Sequence, residues 1–174
     1  RHLTPKLIDD GIVMAILGLQ GHSDPHVREY CAEAICALFE HEAVVEKLRE
    51  QGAIEALIRI CMATSDASVA EWCAFAIYHI ITSPHAAHTL ELFGPNLLEV
   101  LLYLPSKHND DRVSQYVAAA IMELTIAQLD GVEATIPVLV AMLKSSTDTV
   151  RSYCASALYN FAGAEKNCEA MLTA

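Results

Sequence analysis

Apolar residues recur at a helical period in four stretches of the chain that align with one another without gaps. The stretches open on Val27, Val69, Val113 and Val150, which stand 42, 44 and 37 residues apart. Counted from each Val, positions +4, +7, +8 and +11 are apolar every time. They are Cys31, Ala34, Ile35 and Leu38 in the first stretch, and Cys73, Ala76, Ile77 and Ile80 in the second. The third has Val117, Ala120, Ile121 and Leu124, and the fourth Cys154, Ala157, Leu158 and Phe161. At about 100° per residue these positions share one face, so each stretch predicts a long helix with a single buried stripe. Three residues before each Val stands Asp24, Asp66, Asp110 or Thr147, whose side-chain oxygen can accept the unpaired amide hydrogens of a first turn. Pro25 suits the first helical position, where no donor is needed.

A second apolar helix precedes each long one, over 13–19, 54–61, 97–104 and 136–143. Gly11 and Gly52 lie two residues ahead of the first two, where a sharp turn out of a short preceding helix needs a residue without a side chain. Pro95 and Ala134 take that place in the other two units. Short first helices are expected over 43–50 and 85–93. Between Leu124 and Ala134 there are too few residues for another, so the fourth unit has an abbreviated first helix or the preceding long helix runs on through it.

Short helix, glycine turn, middle helix and long helix, four times in register, resemble the armadillo repeat. The resemblance covers nearly the whole chain. The run from Ile136 through Pro137, Val138, Leu139, Val140, Ala141 and Met142 to Leu143 is close to the family's middle-helix pattern, and Ala157-Leu158-Tyr159-Asn160-Phe161 to its third-helix ending. The HEAT repeat, a two-helix relative, is the alternative, because the first helices are the least distinct element. The implied fold is all-α, a right-handed solenoid of about four armadillo-type repeats over 1–42, 43–84, 85–124 and 125–174, forming one domain. The chain reads as excised from a longer array: it opens Arg1-His2-Leu3-Thr4-Pro5, and Leu7-Ile8 and Met171-Leu172 are apolar where a solenoid end is normally capped by polar residues.

Composition narrows the function classes. The 174 residues carry a net charge of −11, which repels nucleic acid and anionic lipid. From Trp72 to Leu90 there is no Asp, Glu, Lys or Arg, but His79, Ser83, Pro84, His85 and His88 interrupt the stretch, so no membrane insertion is expected. Cys31, Cys36, Cys61, Cys73, Cys154 and Cys168 include no CxxC pair and read as buried free thiols. Six free thiols suit a reducing compartment, so a cytoplasmic location is expected, with nucleus, cytoskeleton and cilium open.

Catalytic chemistry finds little support. His85, His88 and Glu91 share a helical face and could present two imidazoles and a carboxylate to a metal, yet a solvated face explains them better. His79 and Glu123 could meet across neighbouring repeats, but no motif places a nucleophile beside them. No enzyme activity, cofactor or metal is expected.

The armadillo resemblance implies instead that the third helices line a groove holding an extended peptide or a helix of a partner protein. In importin-like members a Trp stands at the position of Glu33, Phe75, Ala119 and Ser156, and an Asn at that of Ala37, His79, Glu123 and Asn160. Only Asn160 matches, so a nuclear-import receptor is not supported. Position +3 is aromatic in every repeat: Tyr30, Trp72, Tyr116 and Tyr153 form a row that either wedges neighbouring helices together or meets a ligand. Tyr78 and Tyr159 either widen that surface or are isolated exposed rings. Glu29, Glu33, Glu40, Glu71 and Glu123 fall on the groove positions, with no Lys or Arg among them. The expected function is a non-enzymatic protein–protein interaction scaffold that holds an extended or helical, basic or amphipathic segment of a partner. Its second repeat, with Trp72 and Phe75, is the expected centre of the groove. The alternative is a spacer in a larger solenoid whose groove is filled by another part of its own chain, with neighbouring repeats as its contacts.

Overall fold

The computed structural model describes residues 3–19, 22–39, 41, 44–84, 86–163 and 171–172. The first unit comprises α1 (Leu3–Asp9), α2 (Ile12–Leu19) and α3 (Pro25–Phe39), and the second α4 (Val45–Glu50), α5 (Ala53–Ala63) and α6 (Ala67–Thr82). The third has α7 (Ala86–Lys107) and α8 (Asp111–Ile126); the fourth has a 3-10 turn (Val132–Thr135), α9 (Ile136–Met142) and α10 (Asp148–Ala162). The long helices α3, α6, α8 and α10 pack side by side in chain order, with the other helices layered behind them. None of the described helices is long and apolar enough to cross a membrane.

The predicted caps hold at three of four helix starts. The Asp66 carboxylate accepts from the amides of Ser68 and Val69, at 2.8 and 3.2 Å, and Asp110 and Asp24 accept from Arg112 and His26. Thr147 departs from the expectation. It occupies the cap position of α10 without accepting from the first-turn amides, and its hydroxyl donates to Asp111 of the preceding repeat at 2.9 Å.

That contact belongs to a strap between the third and fourth repeats. Asp111 also accepts from the hydroxyls of Ser145 (2.7 Å) and Ser146 (3.0 Å), and the three donors hold its carboxyl below the usual range. A depressed folded-state pKa contributes stability that is present above the unfolded value and is lost as pH falls through the folded one. Asp111→Ala should therefore lower thermal stability at neutral pH and flatten its acid dependence below about pH 4. Melting curves of the two chains across that range check this.

Turns between first and second helices need a left-handed residue, and Gly11, Gly52 and Gly131 supply it with φ of 85°, 75° and 84°. Gly131, rather than Ala134, turns the chain in the fourth unit. A Cβ at Gly52 would meet only the Glu55 carboxylate, at 3.9 Å, so the demand there is conformational. Gly52→Ala should cost about 1–2 kcal/mol in chemical denaturation, the left-handed penalty for an L side chain.

The third unit corrects the expected pattern most. Pro95 does not turn the chain, and 85–93 is not a separate first helix: α7 runs unbroken through Gly94 and Pro95. Proline normally drives the residue before it out of helical backbone by clashing with its Cβ, and Gly94 has none. The same bare position accepts Leu129, whose Cδ1 would lie 3.1 Å from an added Cβ. Leu129 sits in the turn that follows α8, which stops at Ile126. The long helix does not run on, and the first helix of the fourth unit is reduced to this turn.

The stripe read from the sequence is the core. All four stripe residues of α6 and α8 are buried; in α3 and α10 one or two remain half-buried. Cys31, Cys73 and Cys154, at the shared +4 position, are buried free thiols, as are Cys36 and Cys61, while Cys168 lies outside the described residues. Cys36 and Cys61 both approach the Cys73 sulfur; that neighbour, together with burial, holds the Cys36 thiol well above its ordinary range.

Candidate functional site

The structure brings some of the sequence-predicted residues of the third helices together and leaves others apart. Phe75 is the centre of an aromatic cluster. Its ring meets His79 at 4.4 Å, Tyr116 at 5.1 Å and Trp72 at 6.0 Å, each edge to face. Such pairs add about 0.5–1.5 kcal/mol beyond the area they bury. Helical spacing puts Trp72, Phe75 and His79 on adjacent turns of α6, and the packing of α8 brings Tyr116 across to them. Tyr78 also faces Tyr116, at 6.4 Å. It is thus not an isolated exposed ring: burial, followed by the charges of Glu123 and Tyr153, holds its phenol proton above the ordinary range.

The four +3 aromatics therefore divide. Trp72, Tyr116 and Tyr153 are half-buried against the core, with Tyr116 wedged onto the preceding repeat, whereas Tyr30 is 67% exposed.

Charge is redistributed relative to the sequence reading. Arg112, one residue before Val113, reaches back to Glu71 at 2.8 Å while held by Asp110 at 3.1 Å. Glu71 is therefore neutralised across the junction of α6 and α8. The same guanidinium keeps the Asp110 carboxyl below its usual range. Glu29 lies 3.7 Å from the His26 imidazole. Among the described residues Glu33 and Glu123 have no ion-pair partner, and Glu40 lies outside them.

Asn160 is a strut. Its amide donates to the Thr125 hydroxyl at 2.8 Å, and that hydroxyl donates to the Met122 carbonyl at 2.6 Å, joining α10 to α8. Around this bond lies an open depression of about 480 Å³, with Met122 and Ile126 from α8 and Ser152, Ser156, Tyr159 and Asn160 from α10. Ile126 is 62% exposed and Tyr159 80%. The sequence reading missed Met122 and Ile126, although both are apolar residues off the core stripe, and that signal could have found them. A second recess of about 470 Å³ lies where the first turn of α3 faces the link between α5 and α6, lined by His26, Glu29, Thr64 and Asp66. Arg28 also lines it, but its guanidinium is turned back onto the carbonyls of His22 and Ser23.

Two of the three residues in the histidine constellation are described. His88 and Glu91 face each other at 3.8 Å in solvent, and His85 lies outside the described residues. Among the described residues no group of three His, Cys, Asp or Glu side chains could hold a metal ion.

No protein-family model matches the chain, and no curated protein matches it. Solved structures do. The chain is similar, at 21% identity and a TM-score of 0.80, to computationally designed armadillo repeat proteins for modular peptide recognition, over 98% of its own length and 73% of theirs. A designed armadillo repeat protein in complex with the peptide (KR)4 is similar over the same shares, at 21% identity and a TM-score of 0.77. An engineered protein is similar over 92% of this chain and 68% of its own, at 20% identity and a TM-score of 0.74. With these likenesses, and with third helices that stack in chain order, the chain is an all-α solenoid of the armadillo-repeat fold.

Proposed function

We propose that the chain is a non-enzymatic interaction scaffold whose third-helix surface holds an extended or helical segment of a partner protein, with basic residues flanking apolar anchors. One observation carries this reading: a carboxylate that has no ion-pair partner among the described residues stands on a helix that contributes to two apolar areas. On α8, Tyr116 joins the ring cluster around Phe75 while Met122 and Ile126 line the depression, and Glu123 of the same helix is near enough to Tyr78 for its charge to act on that phenol. Lysine or arginine beside Glu123, with an apolar side chain in the depression, satisfies both. Two neighbours of the same fold recognise peptides, one of them the Lys-Arg repeat (KR)4, which is in keeping with the reading.

Acidic steering is a rate effect that salt weakens as the Debye length shrinks. A peptide array of basic, neutral and acidic segments with apolar anchors, probed at low and high salt, tests it. Basic segments should bind best, and their advantage should fall at high salt. Binding that ignores peptide charge, or no binding at all, would instead support a spacer whose groove is filled by its own chain.

A further inference from the structure

Stacked repeats place corresponding residues alike, so a contact made at one junction is a template for the next junction in the same register. Between the second and third repeats, Glu71 at +2 of α6 and Asp110 three residues before Val113 hold one guanidinium between them. Arg112, one residue before Val113, places Nη1 2.8 Å from Glu71 Oε2 and Nη2 3.1 Å from Asp110 Oδ2. Between the first and second repeats the same register supplies Glu29 and Asp66, but the residue before Val69 is Ser68, which carries no cation. Here Glu29 and Asp66 both line the recess of about 470 Å³. At the third-to-fourth junction the two positions are Gln115 and Thr147, neither of them acidic.

Asp66 caps α6 through Oδ1 alone, and its Oδ2, the counterpart of the oxygen that holds Arg112, accepts from no donor among the described residues. Glu29 has the His26 imidazole at 3.7 Å and no Lys or Arg beside it among the described residues. Arg28 also lines the recess, yet its guanidinium donates to the His22 and Ser23 carbonyls, at 2.6 and 3.0 Å, and pairs with neither carboxylate. Ile60, Ala63 and Val69 give the recess apolar walls. Such walls suit a side chain with a methylene stem and a charged head. We propose that this recess binds an arginine side chain of a partner protein, its stem on those walls and its guanidinium bridging Glu29 and Asp66 as Arg112 bridges Glu71 and Asp110. Arginine is favoured over lysine because a planar fork of donors reaches two carboxylates at once, whereas an ammonium is a point charge.

Amide-resolved NMR on the whole chain tests this, with Nα-acetyl-arginine methylamide as the probe and its lysine counterpart as the comparison. The arginine probe should shift the amides of Glu29, Ser68 and Val69 saturably, and the lysine probe should do so only at much higher concentration. Glu29→Gln combined with Asp66→Asn removes both charges, keeps a cap oxygen for α6 and should abolish the response. Ser68→Arg should abolish it too, because the chain then fills the recess as Arg112 fills the next junction. Arg112→Ser should do the reverse and open a second site, read at the amides of Glu71 and Val113. Circular dichroism checks that each variant keeps its helices. A wild type without a saturable shift would overturn the proposal, as would equal responses to the two probes. So would a response that survives in the double variant or in Ser68→Arg, or an Arg112→Ser chain whose Glu71 junction stays silent. No arm of the test involves Glu123 or the depression between α8 and α10, so this recess and the scaffold reading fail separately.

Discussion

Phe75→Ala should weaken binding of a basic, apolar-anchored peptide by about 2 kcal/mol, roughly a 30-fold rise in Kd, the scale of an interface hot spot. The expectation rests on position. Phe75 is in ring contact with Trp72, His79 and Tyr116, so its removal deletes one aromatic surface and releases the others from the geometry it imposes. Trp72→Ala should act in the same direction, because Trp and Tyr lose little rotamer freedom on binding and bury a large area. Glu123→Gln, by contrast, should cost well under 1 kcal/mol and reduce the salt dependence. Phe75→Leu separates packing from ring chemistry: it restores bulk to the cluster but not the edge-to-face contacts. Titration calorimetry on chains whose helical signal is intact gives the comparison. Unchanged affinity in both Trp72→Ala and Phe75→Ala would remove the second repeat from the site.

The largest stability effect is expected at Ile121. Its side chain is fully buried in α8, the helix that packs against α6, α7 and α10. Ile121→Ala should cost about 2–5 kcal/mol, the transfer free energy of the lost carbons plus the cavity they leave. Ile126→Ala, five residues on in the same helix, should change stability by no more than about 0.5 kcal/mol, because Ile126 is 62% exposed. Urea denaturation of both variants checks the pair. The contrast is informative because residue type and helix are held constant and only the surroundings differ. A solenoid couples each repeat mainly to its neighbours, so the Ile121 lesion should be felt by the repeats packed on α8 before the first repeat loses structure. Hydrogen exchange resolves that order.

The chain's own residues determined the repeat, and the reason is local. A stripe at +4, +7, +8 and +11 fits only a helix buried on one side, and Asp24, Asp66 and Asp110 need only the next few amides to act as caps. Gly11 and Gly52 mark turns because a left-handed backbone disfavours any side chain, whatever surrounds it. What lay beyond the sequence depends on partners distant along the chain. Pro95 looked like a turn, yet α7 continues through it because Gly94 removes the clash and Leu129, 35 residues later, fills the space. Thr147 looked like a cap, yet it accepts from no first-turn amide and its hydroxyl donates to Asp111 of another repeat. Glu71 and Glu123 were equivalent as acidic groove positions; only the arrival of Arg112 beside Glu71 distinguishes them. In the same way Tyr30 and Tyr116 occupy one register, yet Tyr116 packs against Phe75 of the neighbouring helix while Tyr30 is 67% exposed. Periodicity assigns a residue to a face of its helix, whereas its exposure and its partners depend on which other helix comes to lie against that face.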